Sequence, residues 1–245
     1  MATIETRGFW FGMAAAAGMT LSSVAGHASQ PPNPTINNGS FSTNTGSGTS
    51  TTVTGTTANL SNTWTVATVS TNPNACVVYG NSFTNCGYTP ISTAGLGVDP
   101  NGAPYFAAGS WTGTNAIISQ TVSNLILNEK YNITFYQAAL ADAVVTDAAR
   151  WTVAFGGAAT QNSTIMNIAS GLAVGWASQS MIFSASATSV TLSFLASGGT
   201  NSGPPLALLD GVAITRVPEP ASIALLAIGA AGIMGLRRRR ARLAV

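Results

Sequence analysis

Reactive side chains are scarce in this chain of 245 residues. Between Ser29 and Leu236 the carboxylates are Asp99, Glu129, Asp142, Asp147, Asp210 and Glu219. Hydrolysis of a glycosidic bond needs two carboxyl groups facing each other across a cleft, one as acid and one as base or nucleophile. Asp142 and Asp147 precede the segment at Arg150-Trp151, but nothing in their spacing turns them toward one another. Asp99 and Asp210 suit ordinary turn and strand-end roles. No catalytic residue is assigned. Asp210 is the one metal candidate: with loop carbonyls it offers the oxygen ligands that calcium takes, against the plainer role of a hydrogen-bonded aspartate. No other cofactor is expected.

Cys76 and Cys86, the only cysteines, are separated by nine residues around Tyr79-Gly80-Asn81-Ser82. In an oxidising compartment such a pair reads as a disulfide closing a short loop, with a metal site or two free thiols as the alternatives. Aromatic faces stack on the apolar faces of pyranose rings, and most tryptophans of a β-sandwich fill its core instead. Trp151, alternating with Val153 and Phe155, reads as core. Trp111, set between Gly109-Ser110 and Thr112-Gly113, is the expected glycan platform, with Tyr105 beside it.

Charge narrows the classes. Only 7% of residues are charged, and positions 8 to 98 contain no Asp, Glu, Lys or Arg. The formal net charge of +2 comes from the ends: between Ser29 and Leu236, Lys130, Arg150 and Arg216 stand against the six carboxylates, three against six, for a net of −3. Binding nucleic acid takes clustered cations that displace phosphate counterions, and this body has none. Nucleic acid is excluded as a partner.

Both ends read as addresses. Arg7 precedes an apolar stretch from Phe9 to about Val24, and Gly26 and Ala28 supply the small residues that signal peptidase requires. The spacing predicts a signal helix over residues 1–28, cleaved after Ala28. Cleavage removes His27, the only histidine, and with it any imidazole for base, triad or zinc chemistry. At the other end Val217-Pro218-Glu219-Pro220 leads into sixteen uncharged residues, Ala221 to Leu236. As a helix these cover about 24 Å, which spans a bilayer core marginally. Arg237, Arg238, Arg239, Arg240 and Arg242 then form a cytoplasmic stop by the positive-inside rule.

This tail resembles the PEP-CTERM sorting signal of Gram-negative bacteria over Val217 to Arg242. The resemblance implies processing at or near Pro218-Glu219-Pro220 by an exosortase, a membrane-embedded protease, in a host that makes exopolysaccharide and biofilm. A simple tail anchor is the alternative.

Between the addresses the chain is expected to be all-β. Residues 29–60 form a Ser/Thr-rich leader, 12 of the 18 residues from Ser40 to Thr57 being Ser or Thr, with one edge strand near Ile36 to Phe41. Period-two patterning bounded by Gly, Asn and Pro then predicts nine strands: Thr63–Val69, Val77–Tyr79, Ala103–Ala108, Ala116–Val122, Lys130–Ala138, Arg150–Phe155, Ser178–Ser184, Ser189–Leu195 and Leu208–Ile214. Ala138 to Ala149 is open between a helical turn and a loop. Short strands joined by turns argue for an antiparallel β-sandwich. The order of Asn38-Gly39-Ser40-Phe41, Asp99-Pro100-Asn101-Gly102, Tyr131 through Gln137 and Leu208-Leu209-Asp210-Gly211-Val212 resembles the galactose-binding-domain-like jelly roll of some carbohydrate-binding modules, over residues 34–216. Ser42 stands where related modules often carry an acidic residue. The expectation is a non-enzymatic, exported β-sandwich protein with a single C-terminal transmembrane helix at 217–245. It would be sorted to the cell surface or matrix and would interact with exopolysaccharide or matrix proteins; a purely structural coat protein and, third, a glycan-active enzyme are the alternatives.

Overall fold

The computed structural model describes residues 32–42, 51–52, 57–60, 63–68, 75–78, 83, 92–102, 104–110, 116–141, 146–169, 171–199 and 205–218. The signal segment, the chain from Glu219 with its arginines, Trp111, Cys86 and Asp142 all lie outside these residues.

The described chain is built of antiparallel strands: β1 (Thr51–Thr52), β2 (Thr57–Leu60), β3 (Trp64–Thr68), β4 (Ala75–Val78), β5 (Tyr105–Gly109), β6 (Ala116–Val122), β7 (Lys130–Ala141), β8 (Asp147–Phe155), β9 (Gln161–Asn162), β10 (Met166–Ile168), β11 (Ala173–Ser184), β12 (Val190–Ser197) and β13 (Pro205–Arg216). One sheet runs β1-β4-β5-β13-β7-β11 and the other β10-β8-β12-β6-β3-β2, with β9 also paired to β8. Among the described residues there is no helix, and hence none long and apolar enough to cross a membrane.

Alternation decides which side chains face inward, because successive residues of a strand point to opposite faces. In β8 every second residue is buried, placing Trp151, Val153 and Phe155 inside with Leu192, Phe194 and Ala196 of β12. From the six-stranded sheet Tyr131, Ile133 and Phe135 of β7 meet them. Phe135 stands edge-on to Phe194 at 5.1 Å between ring centroids, and Phe106 lies 6.3 Å from Trp151, so aromatic rings tie the two sheets together. Trp151 is fully buried, and its Nε1 donates to the carbonyl of Leu208 across the interface at 3.0 Å.

A second apolar cluster lies on the outer face of the six-stranded sheet. There Tyr105, Ala107, Ala138, Leu140, Leu206 and Leu208 are covered by Phe83 and Leu96 from the segment between β4 and β5. This cover explains why β7 and β13 lose their alternation at one end, where residues 137–141 and 205–210 are buried on both faces. Of the segment left open at Ala138–Ala149, residues 138–141 extend β7 and residues 147–149 open β8, while 142–145 lie outside the described residues.

Two expectations for the N-terminal part are corrected. Residues 37–40 are a turn, not an edge strand: Asn38 and Phe41 take positive φ, 52° and 54°, and Phe41 N donates to Asn38 O. The backbone of Gly39 lies against β13, where Val212 N donates to Gly39 O at 3.0 Å, leaving no room for a side chain. Gln120 completes the clamp, accepting from Asn37 N while its amide donates to the carbonyls of Asn37 and Thr63. The Ser/Thr-rich stretch, for its part, contributes β1 and β2 to the two sheets.

Three backbone groups of the long edge strand β11 are occupied from outside the sheet ladder. Gln161 Nε2 donates to Ile182 O at 2.7 Å and Gln179 Nε2 to Ser178 O at 2.9 Å. Toward the strand's start, Ala173 N donates to Ala94 O of the covering segment. Cys76 of β4 is 1% exposed and is not a free thiol; Cys86, its expected disulfide partner, lies outside the described residues.

Candidate functional site

The outer face of the six-stranded sheet gathers the described groups with perturbed chemistry. Asp210 sits on β13 at 0% exposure, just before Gly211, whose φ of 61° marks a bulge in the pairing of β13 with β7. The bulge lets the covering segment approach. Asn101 Nδ2 donates to Asp210 Oδ2 at 2.7 Å, and Asp99 Oδ1 accepts from Asn101 N at 3.3 Å. A Cβ at Gly211 would strike the Asn101 amide and come within 2.8 Å of the Tyr136 ring, so only glycine fits.

Burial, followed by a hydrogen bond shared with Asp99, raises Asp210 to about 8, while bonds from Asn101 and the Gly211 N–H act in the opposite sense. Asp210 therefore holds its proton well above the ordinary carboxylate range. Burial, and then the charge of Asp99, also raise the Tyr105 hydroxyl above its ordinary range. This is a fastening rather than a reactive centre: the Asp210 carboxyl lies inside a closed contact between segment 92–102 and β13.

The same geometry bears on calcium. Asn101 turns its amide nitrogen toward Asp210, and Asp99 is the second carboxyl beside it. Among the described residues no three of His, Cys, Asp and Glu gather. The contacts at Asp210 are those of a hydrogen-bonded aspartate, the plainer of its two expected roles.

The expected glycan platform at Tyr105 is corrected. Tyr105 is fully buried, packed edge-on against Trp176 with 5.2 Å between centroids, and so presents no face to a sugar. Trp111 lies outside the described residues. Among the described residues the aromatics that reach the surface are half-buried Tyr136 and Trp176. Tyr136 stands in a shallow concavity of about 370 Å³ formed with Thr134, Ser178, Gln179, Ser180 and Gly211. Its lining carries no ionisable group except the phenol, and hydroxyls and an amide surround the ring. The signal for this place is present in the sequence, since Thr134 and Tyr136 alternate away from Phe135; what sequence reasoning missed is that β11 lays Ser178 and Ser180 beside them. A second neutral trough of about 440 Å³ lies on the other sheet, lined by Thr65, Ser119, Thr121 and Thr191 without any aromatic ring.

The sorting segment leaves directly from the fold. β13 ends at Arg216, whose Nη2 lies 3.2 Å from Glu129 Oε1 and whose Nε donates to Glu129 Oε2. Val217 N donates to Lys130 O at 2.9 Å, and Pro218 is exposed.

Comparison with known proteins agrees at this point. The family described as the PEP-CTERM protein-sorting motif matches residues 216–240, so the chain carries a signal that marks an exported protein sorted to the cell surface. No curated protein matches the chain. Among solved structures, the carbohydrate-binding module TmCBM61 in complex with β-1,4-galactotriose is similar at 12% identity and a TM-score of 0.41, over 74% of this chain and 97% of that one. A structure titled for CBM4 structure and function is similar at 16% identity and a TM-score of 0.36, over 74% and 99%. Arabinose-bound MgGH51 α-L-arabinofuranosidase is similar at 13% identity and a TM-score of 0.43, over 76% of this chain and 27% of that one. At such scores these likenesses say nothing of a ligand.

Proposed function

We propose that this is a non-enzymatic, exported protein of a Gram-negative cell, processed by an exosortase near Pro218-Glu219-Pro220. It is held for a time in the inner membrane by the span from Ala221, and meets neutral exopolysaccharide at the cell surface or in the matrix. The location rests on the motif at 216–240. The polysaccharide contact rests on one observation: a half-buried tyrosine ring set among Thr134, Ser178, Gln179 and Ser180 in a shallow, open concavity. Such a lining matches a sugar ring, which offers one apolar face and a rim of hydroxyls, and it offers little to an ionic ligand.

The test is retention of the secreted protein on a column of the host's own exopolysaccharide. The wild-type chain should be retarded, and Tyr136→Ala should elute earlier, with affinity lower by about tenfold if one stacking contact is lost. Equal elution of both proteins in the void would leave a structural coat protein without a specific ligand.

A further inference from the structure

β13 delivers the chain to its sorting motif without a spacer. The last paired residue, Arg216, is also the first residue of the motif, and Val217 is still hydrogen-bonded to β7. Four residue steps separate Val217 from Ala221, where the uncharged span begins. Fully extended, they reach at most about 14 Å. The polar layer of a bilayer leaflet is itself roughly 5–7 Å deep. A span seated in the hydrocarbon therefore holds one end of the sandwich against the head groups.

That end is formed by the β6–β7 turn, Ser123–Glu129, and the β11–β12 turn, Ala185–Ser189. It is rigid. Leu125 N donates to Thr188 O, Asn128 N to Ala185 O and Ala185 N to Glu129 O, while Ile126 N donates to the Tyr131 hydroxyl. Asn124 and Asn128 take left-handed φ of 63° and 66°, bending the turn tightly. Its two leucines part company as a result: Leu125 is tucked in at 3% exposure, and Leu127 projects at 54%. Lys130 beside it is exposed, and Glu129 is neutralised by Arg216. An outward apolar residue next to a free cation, on a turn fixed by the fold, suits the boundary between acyl chains and anionic head groups.

We propose that this end of the sandwich is a lipid-contacting face, with Leu127 entering the head-group boundary and Lys130 meeting anionic head groups while the tail is anchored. The proposal rests on the anchored reading of the tail. A contact this small binds nothing from free solution, but the tether supplies a high effective concentration, and a weak contact is then populated.

The full chain is reconstituted in vesicles of phosphatidylethanolamine and phosphatidylglycerol, with an environment-sensitive fluorophore on Leu127→Cys. The control label goes on Leu172→Cys, which is 53% exposed and lies next to the start of β11, at the far end of the sandwich. The unsubstituted chain serves as the labelling blank. The label at 127 should shift to the blue and be quenched several-fold more strongly by lipid-borne nitroxide than the label at 172. Lys130→Gln should weaken this only where phosphatidylglycerol is present. Equal responses from a chain that floats with the vesicles would overturn the face and leave the anchor standing. Failure to float would overturn both. A shift that needs co-reconstituted exosortase, or that grows with protein-to-lipid ratio, would assign the face to a protein partner or a second copy and so reject lipid.

Discussion

Asp210 shows how burial sets the behaviour of one side chain. In the unfolded chain its proton leaves near the ordinary value of 3.8, whereas in the fold burial and Asp99 hold it to about 8. The folded state thus binds the extra proton across that window, so Asp210's contribution to stability is full at low pH and is lost as pH rises from about 4 to about 8. Asp210→Asn keeps a neutral group of the same shape. Melting temperatures of the two proteins from about pH 5 to about pH 9 should diverge, with the wild type falling relative to the variant and the variant more stable at the alkaline end. Parallel curves would mean that the carboxyl is ionised in the fold. The carboxyl pair was out of reach of sequence reasoning because Asp99 and Asp210 are far apart in the chain; only the bulge at Gly211 and the folding-back of segment 92–102 bring them together.

At the scale of elements, the motif Asn38-Gly39-Ser40-Phe41 carries a constraint that its period-two look conceals. Ile36 to Phe41 reads as a strand, yet the contact of Gly39 with Val212 forces a turn. A methyl group at Gly39 would collide with the Val212 carbonyl, a backbone atom that cannot swing away. Gly39→Ala should therefore destabilise the protein by about 1–3 kcal/mol, measured by urea unfolding with an unchanged m-value. Where one face of a strand is solvated, as in β6, β8 and β12, alternation placed the strands well, and β6 coincides with its expected bounds. Where both faces are covered, as at Ala138–Ala141, the period vanishes and the reading is left open. Strands β9 and β10, two and three residues long, are too short to show any period.

For the whole molecule, the sorting motif abuts the fold, so little of the chain before it is free for a protease to read. Mass spectrometry of the secreted protein should place its C-terminus near Pro218-Glu219-Pro220, with the arginines absent; an intact Arg237–Arg242 tail would make the segment an anchor alone. The sorting motif at 216–240 was legible in residue types, because a signal of this kind is read as linear chemistry, whereas the surface around Tyr136 depends on which strand lies beside β7. The occupied backbone groups of β11 have a consequence of their own. A chain with 7% charged residues has little electrostatic repulsion to keep its copies apart. The amides of Gln161 and Gln179, with Ala94 O, occupy backbone groups that a neighbouring strand would otherwise seek. These contacts are hydrogen bonds, so ionic strength does not screen them, and they hinder pairing between copies where the little charge repulsion is itself screened by salt.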